Sequence, residues 1–447
     1  MSAGTIARAE TADRRREQRG WYFYDFACSV YSTSVLTVFL GPYLTSVAKA
    51  AADAEGFVHP LGIPVRAGAV FAYAVSASVV LAVLVTPFVG AAADRTGRKK
   101  PLLAAAAYVG AGATAGMFFL DGQRYLLGAV LLIVANAAMS VSMVLYNAYL
   151  PQIAEPEERD TVSSRGWAFG YTSGALVLVL DLVLYSGHES FGVSEGTAVR
   201  ICLATAGLWW GAFTLVPLRR LRDRRVDRGA EGAVGTGWRQ LAATLRDMRR
   251  HPLTLSFLLA YLVYNDGVQT VISQASVYGS EELGLDQSTL ITAVLLVQVL
   301  AVAGALGMGV LARRYGAKRT ILGSLAAWTL TIGAGYFLPA GAPVWFFALA
   351  AAIGLVLGGS QALSRSLFSH LVPPGKEAEY FSAYEISDRG MSWLGPLVFG
   401  LAYQLTGSYR DAIISLVIFF ALGFVLLARV PVRRAVAAAG NPVPDRI

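Results

Sequence analysis

The sequence predicts an all-α integral membrane protein. Twelve transmembrane helices are expected, in two pseudo-symmetric six-helix halves. Three observations predict this fold: an apolar excess, a one-sided distribution of basic residues and an internal repeat. The chain has 447 residues, of which 55% are hydrophobic and 15% charged. Soluble domains carry about 25% charged residues. Mean hydropathy is +0.53. One membrane crossing takes about 20 apolar residues, so twelve would use roughly 240, close to the whole hydrophobic content. A disordered chain, a nucleic-acid-binding tail and a disulfide-stapled secreted module are all excluded. The first 20 residues, with Arg14, Arg15, Arg16 and Arg19, are too polar and too long for a signal-peptide leader. The first apolar segment is therefore expected to remain as a span.

Taken in order, the apolar runs are 21–48, 68–93, 101–120, 125–150, 163–185, 197–218, 253–275, 288–312, 319–339, 343–371, 380–404 and 410–430. Each is long enough to cross the hydrocarbon layer with some tilt. The expected organisation is an N-terminal tail (1–20), a first six-helix half (21–218), a basic linker (219–252), a second half (253–430) and a C-terminal tail (431–447). The connection at about 49–67 is also long and carries Pro60 and Pro64.

The net charge of +8 would suggest a nucleic-acid partner in a soluble protein. In a membrane protein the side on which the charges lie matters more. With the N-terminus placed in the cytoplasm, 30 of the 37 Lys and Arg residues fall on the inner side and five on the outer. The remaining two, Arg365 and Arg389, fall inside spans, away from their ends. This asymmetry predicts cytoplasmic termini and a lipid bilayer, not nucleic acid, as the partner.

The repeat appears in three places. Gly90-Ala-Ala-Ala-Asp94-Arg-Thr-Gly97-Arg98-Lys99-Lys100 matches Gly309-Val-Leu-Ala-Arg313-Arg-Tyr-Gly316-Ala-Lys318-Arg319, displaced by 219 residues. Leu150–Glu158 echoes Phe368–Lys376, displaced by 218, and Tyr24-Asp25 recurs near Tyr264-Asn265-Asp266, displaced by 240. Repeats of this kind put a substrate site near mid-membrane, between the two halves.

The Gly90–Lys100 segment resembles the loop motif of the major facilitator superfamily, Gly-x-Leu-Ala-Asp-Arg-x-Gly-Arg-Lys. It departs from the motif at Ala92. A narrower resemblance is to the vacuole-effluxer-like branch, whose fungal members release amino acids from the vacuole. It rests on Trp21–Ala27, Tyr146–Pro151, Glu157-Glu-Arg, Gly166–Tyr171, Tyr264–Thr270, Gly358–Ser366 and Leu394-Gly-Pro. The resemblance implies the major facilitator fold and a secondary transporter, without naming the solute. It also implies that the loop latches the cytoplasmic side and releases as the halves rock, with Gly90, Asp94, Gly97 and Arg98 as gating residues. The loop could instead serve only to orient the chain by its charge. Arg313 stands at the Asp94 position of the second copy, so that latch is expected to be weaker.

Ionisable groups inside spans are costly and therefore informative. At 1.5 Å per residue, Asp266 lies about 20 Å into the seventh span, and Asp388 and Arg389 lie about 12–14 Å into the eleventh. Tyr31, Asn265, Asp266, Gln361, Arg365, Glu385, Asp388 and Arg389 are the candidates for lining a central cavity. Arg365 or Arg389 would hold a carboxylate, and an acidic side chain an amine, which suits a zwitterionic solute. Alternatively, Glu385, Asp388 and Arg389 form a structural charge network with Arg365 near the cytoplasmic gate. Asp266 could also carry a proton, because burial favours the neutral form of a carboxyl. Asn136, Asn147 and Gln298 are weaker candidates, since amides in spans often bond helix to helix. Gly166, Gly170 and Gly174 share one face and point to close helix packing. Asp25 lies near the inner end of the first span, where a helix-start carboxylate is unremarkable, and Asp181 near the outer end of the fifth.

There is no Walker loop, HExxH or GxSxG, and no His or Cys stands at metal-ligand spacing. Neither an enzyme nor a cofactor is expected. The expected function is secondary active transport of a small polar organic solute, amino-acid-like on the resemblance, by rocker-switch alternating access with possible proton coupling. The alternative is an exporter of drug-like compounds or secondary metabolites. The protein is expected to act as a monomer in a bacterial inner membrane.

Overall fold

The computed structural model describes residues 3–67, 70–224, 246–285, 287–377, 408–444 and 447, with separate residues between 379 and 406. The helices are α1 (Ala3–Val30), α2 (Leu40–Ala50), α3 (Val70–Thr96), α4 (Lys99–Gly116), α5 (Tyr125–Asn147), α6 (Leu150–Ile153), α7 (Arg159–Ser186) and α8 (Glu195–Arg220). They continue as α9 (Pro252–Val277), α10 (Gln287–Tyr315), α11 (Ala317–Tyr336), α12 (Pro343–His370), α13 (Tyr409–Ser415), α14 (Val417–Arg429) and α15 (Val432–Ala438). A π-helical stretch, Tyr31–Phe39, joins α1 to α2. A two-residue antiparallel pair, Phe57–Val58 with Val65–Arg66, sits in the connection before α3.

Among the described residues, eight helices are long and apolar enough to cross a membrane. A ninth span is added if Asp13–Phe39 and Tyr43–Ala50, bent by 49°, count as one. The expected eleventh span lies largely outside the described residues. Large apolar side chains such as Leu208, Leu330, Val183, Val109 and Ile418 stand exposed. An apolar outer surface of this kind suits lipid contact.

Local chemistry sets the helix ends. Ser194 caps α8 by accepting from Thr197 N at 3.3 Å. Glu195 lies in the first turn of α8 and Arg219 and Arg220 in its last, which complements the helix dipole. Proline opens α9 and α12, where its missing N–H costs nothing. Both copies of the repeated loop turn on a glycine of positive φ, Gly97 at +63° and Gly316 at +91°. Side chains rarely adopt that backbone. Gly97 N and Gly316 N donate to Ala93 O and Ala312 O, closing the preceding helices in the same way. In the π stretch, Thr37 Oγ1 donates to Ser32 O five residues back at 2.9 Å, bonding the side chain along the widened turn.

The chain forms two compact units, and they do not follow chain order throughout. Unit 1 is Met1–Tyr146 with Thr172–Gly229; unit 2 is Asn147–Tyr171 with Ala230–Ile447. Within unit 1, Trp21 stacks on Tyr146 with centroids 4.3 Å apart and donates to Tyr146 O at 2.9 Å. Tyr146 Oη donates to Asp25 Oδ2 at 2.6 Å, tying α5 to α1. Within unit 2, Tyr264 Oη and Ser364 Oγ lie 2.5 Å apart, tying α12 to α9. Tyr146 and Ser364 are displaced by 218 residues, and Tyr24 and Tyr264 by 240. Tyr24 also packs on Tyr146, with ring centroids 5.1 Å apart, so the positions joined by the Tyr264–Ser364 bond are in contact in both units. The Gly166, Gly170 and Gly174 stripe is buried. Trp328 of α11 stacks on Phe420 of α14 at 5.2 Å.

Candidate functional site

In unit 2, α9 brings Asn265 and Asp266 to the level of Gln361 on α12. Both α9 residues are buried, at 1% and 2% exposure. Gln361 Nε2 donates to Asn265 Oδ1 at 2.7 Å. Asp266 Oδ2 accepts from Gly395 N at 2.7 Å, whereas Asp266 Oδ1 has no hydrogen-bond partner. A buried carboxylate oxygen without a donor is costly, so this atom is the natural place for a proton or a ligand donor. Gly395 belongs to the Leu394-Gly-Pro motif; the structure supplies its role as the amide that faces Asp266.

One turn further along α12, Arg365 is buried at 2% exposure. Its Nε donates to Ser163 Oγ at 3.0 Å and its Nη2 to Ser163 O at 2.9 Å. Its guanidinium lies over the Trp167 ring, 5.3 Å from the centroid. Ser163 Oγ in turn donates to Ala362 O at 2.7 Å. Next along the same pair of helices, Ser366 Oγ donates to Asp160 Oδ1 at 2.6 Å. Arg159 Nη1 donates to Ser369 O at 3.0 Å and lies 3.4 Å from His370 Nδ1. The α7 start and the α12 end are thus joined by a continuous polar seam. Trp167 lies in the Gly166–Tyr171 match, which assigns it no role, and sequence reasoning missed Asp160 and Ser163. The available signal was the Leu150–Glu158 echo, which ends immediately before them.

Tyr31 lies in unit 1 at the start of the π stretch, wholly buried, with its ring 5.6 Å from that of Trp210. Gly90 is buried within α3. Arg98 is exposed, and its backbone N donates to Thr96 Oγ1 at 3.2 Å. Asp94 lies in α3, but its side chain is outside the described residues, as are Glu385, Asp388 and Arg389 entirely. Lys100 N donates to Asp223 Oδ1 at 2.9 Å, joining the loop to the chain after α8. Of the weaker amides, Asn136 Nδ2 donates to Ser78 Oγ at 2.6 Å, a bond between α5 and α3.

Outside the spans, Lys376 Nζ meets Asp247 Oδ2 at 2.5 Å, and Tyr380 Oη donates to the same oxygen at 2.9 Å. Burial by itself raises the Asp247 carboxyl. The hydrogen bonds from Lys376 and Tyr380, with the Lys376 charge, outweigh that effect and hold it below its usual value.

Among the described residues, long apolar helices with an apolar outer surface and buried polar groups suit a multi-pass membrane protein. Solved structures agree on the fold. A bacterial homologue of the iron transporter ferroportin matches with TM-score 0.66, at 15% identity over 93% of this chain and 98% of that one. The major facilitator superfamily transporter FucP also matches at 0.66, with 13% identity over 92% and 97%. The model of the Atg22-like vacuole effluxers matches residues 13–440, so the chain belongs to that family. An uncharacterized MFS-type transporter, YxiO of Bacillus subtilis, is 30% identical over 93% of this chain and 95% of its own length. Autophagy-related protein 22 of Pyricularia oryzae is 26% identical over 89% and 73%.

Proposed function

We propose that the protein is a secondary active transporter of a small polar organic solute, amino-acid-like in its charges, working by alternating access with both termini in the cytoplasm. One observation carries this reading: the buried Asp266, with an unpartnered Oδ1 beside the Asn265–Gln361 pair. An intramembrane carboxylate with a free acceptor suits an amine or a proton, and an apolar cargo would need neither. The family's effluxer description supports outward movement of solute from a compartment. The contacts of Arg365 favour a gate role over carboxylate binding, because Ser163 and Trp167 already engage its guanidinium.

Purified protein should be screened by thermal shift against amino acids, peptides, sugars and nucleosides. Stabilisation that saturates with one zwitterionic class is expected; stabilisation by apolar drugs alone would favour the metabolite exporter instead. In proteoliposomes, Asp266→Asn should abolish solute flux driven by a pH gradient. Unchanged driven flux at normal protein content would refute proton carriage by Asp266.

A further inference from the structure

Unit 1 holds a second buried carboxylate that the reading above does not use. Asp181 is on α7, five residues before its Ser186 end, or about 8 Å along the axis. It is 2% exposed, and its Oδ2 has no hydrogen-bond partner. Its side-chain neighbours are the Ser34 hydroxyl and the Cys202 thiol, and Ser34 Oγ, like Asp181 Oδ2, is buried without a hydrogen bond. Ser34 is wholly buried and belongs to the π-helical stretch. Cys202 is a free cysteine on α8, and its Sγ lies 3.8 Å from Asp181 O.

None of these neighbours is charged. The nearest cation along α8, Arg200, pairs with Asp121 at 3.1 Å. On α7 itself, Tyr185 lies one turn beyond Asp181 and donates to Glu195 Oε1 at 2.6 Å. The π stretch contributes only hydroxyl and apolar groups. Among the described residues, Asp181 therefore has no countercharge, and an ionised carboxylate there would be very costly. A proton removes that cost. Tyr185 and the exposed Glu195 stand on the Ser186 side of Asp181, toward the end of α7.

We infer that Asp181 is a proton-binding site of unit 1, distinct from Asp266, whose loading is coupled to the geometry of the Tyr31–Phe39 stretch through Ser34. π-helical turns are frequent at functional sites. This one carries Ser34 against the carboxylate and Tyr31 against Trp210. Loss of the proton would demand new donors at Oδ2, and the Ser34 hydroxyl on the non-α backbone is the group best placed to reorient.

Infrared difference spectroscopy on full-length protein in lipid, stepped between acid and alkaline pH, tests this. A protonated carboxyl gives a carbonyl stretch that vanishes on ionisation. Asp181→Asn should remove one such band completely and lower the protons released per chain by one, with Asp266→Asn removing a different band. Ser34→Ala and Cys202→Ala should each keep the Asp181 band but shift its titration midpoint. The inference is overturned if Asp181→Asn leaves the spectrum and the proton count unchanged. It is also overturned if the Ser34→Ala midpoint equals that of the wild type, whatever Cys202→Ala does. Neither result depends on whether Asp266 titrates, so the two carboxylates are judged separately.

Discussion

Arg365→Lys tests the polar seam of unit 2 most directly, because it keeps the charge and changes only the geometry. The guanidinium makes two hydrogen bonds to Ser163, at 3.0 and 2.9 Å, and covers the Trp167 ring. A lysine ammonium can reach one of those acceptors but cannot present a planar fork. One charge-assisted bond of roughly 1.5–3 kcal/mol is lost, together with much of a cation–π contact of about 0.5–2 kcal/mol. Polar bonds in membranes return less than these figures, about 0.6 kcal/mol on average in one well-studied protein. A net loss of about 2 kcal/mol is therefore expected, equivalent to about 30-fold in an opening equilibrium. Ser164, next to the Arg365 contact, is 2% exposed. In a Ser164→Cys background, Arg365→Lys should accelerate labelling by a water-soluble thiol reagent about 30-fold. It should also lower the melting temperature in detergent. If labelling and melting match the Arg365 parent, the seam does not hold the α7 and α12 ends together, and the reasoning fails.

Three further outcomes are expected. At Gly358, a Cβ would run into the Ala301 carbonyl, so Gly358→Leu should force α10 and α12 apart; overpacking of this kind costs roughly 1–3 kcal/mol or more, and an unchanged melting temperature would contradict it. Tyr146→Phe removes the 2.6 Å bond to Asp25, and thermal unfolding should show a loss of about 1 kcal/mol. Asp247 is held below its usual value in the folded protein, so its stabilising contribution is full above the unfolded carboxylate range and is lost as pH falls through the folded value. The Lys376–Asp247 pair is partly exposed and contributes at most about 1 kcal/mol; Asp247→Asn should flatten the acid side of the stability profile and leave neutral-to-alkaline slopes alone.

The sequence by itself determined the membrane class, the helical fold and the repeat, because hydropathy and glycine-marked turns are local properties of the chain. Gly97 and Gly316 have matching positive φ angles because the same short loop must reverse between two helices in each copy. The sequence also singled out Asn265, Asp266, Gln361 and Arg365, since polar groups in apolar runs are conspicuous without any structure. Their partners were not legible. Which oxygen of Asp266 accepts from Gly395, and which acceptors hold Arg365, depend on helices that are 129 and 202 residues away in the chain. Asp181 shows the same limit from the other side. In the sequence it is a carboxylate near the outer end of the fifth span, with nothing to show its neighbours. Tertiary packing alone surrounds it with a hydroxyl, a thiol and, among the described residues, no cation, and that uncompensated burial makes it a candidate for chemistry.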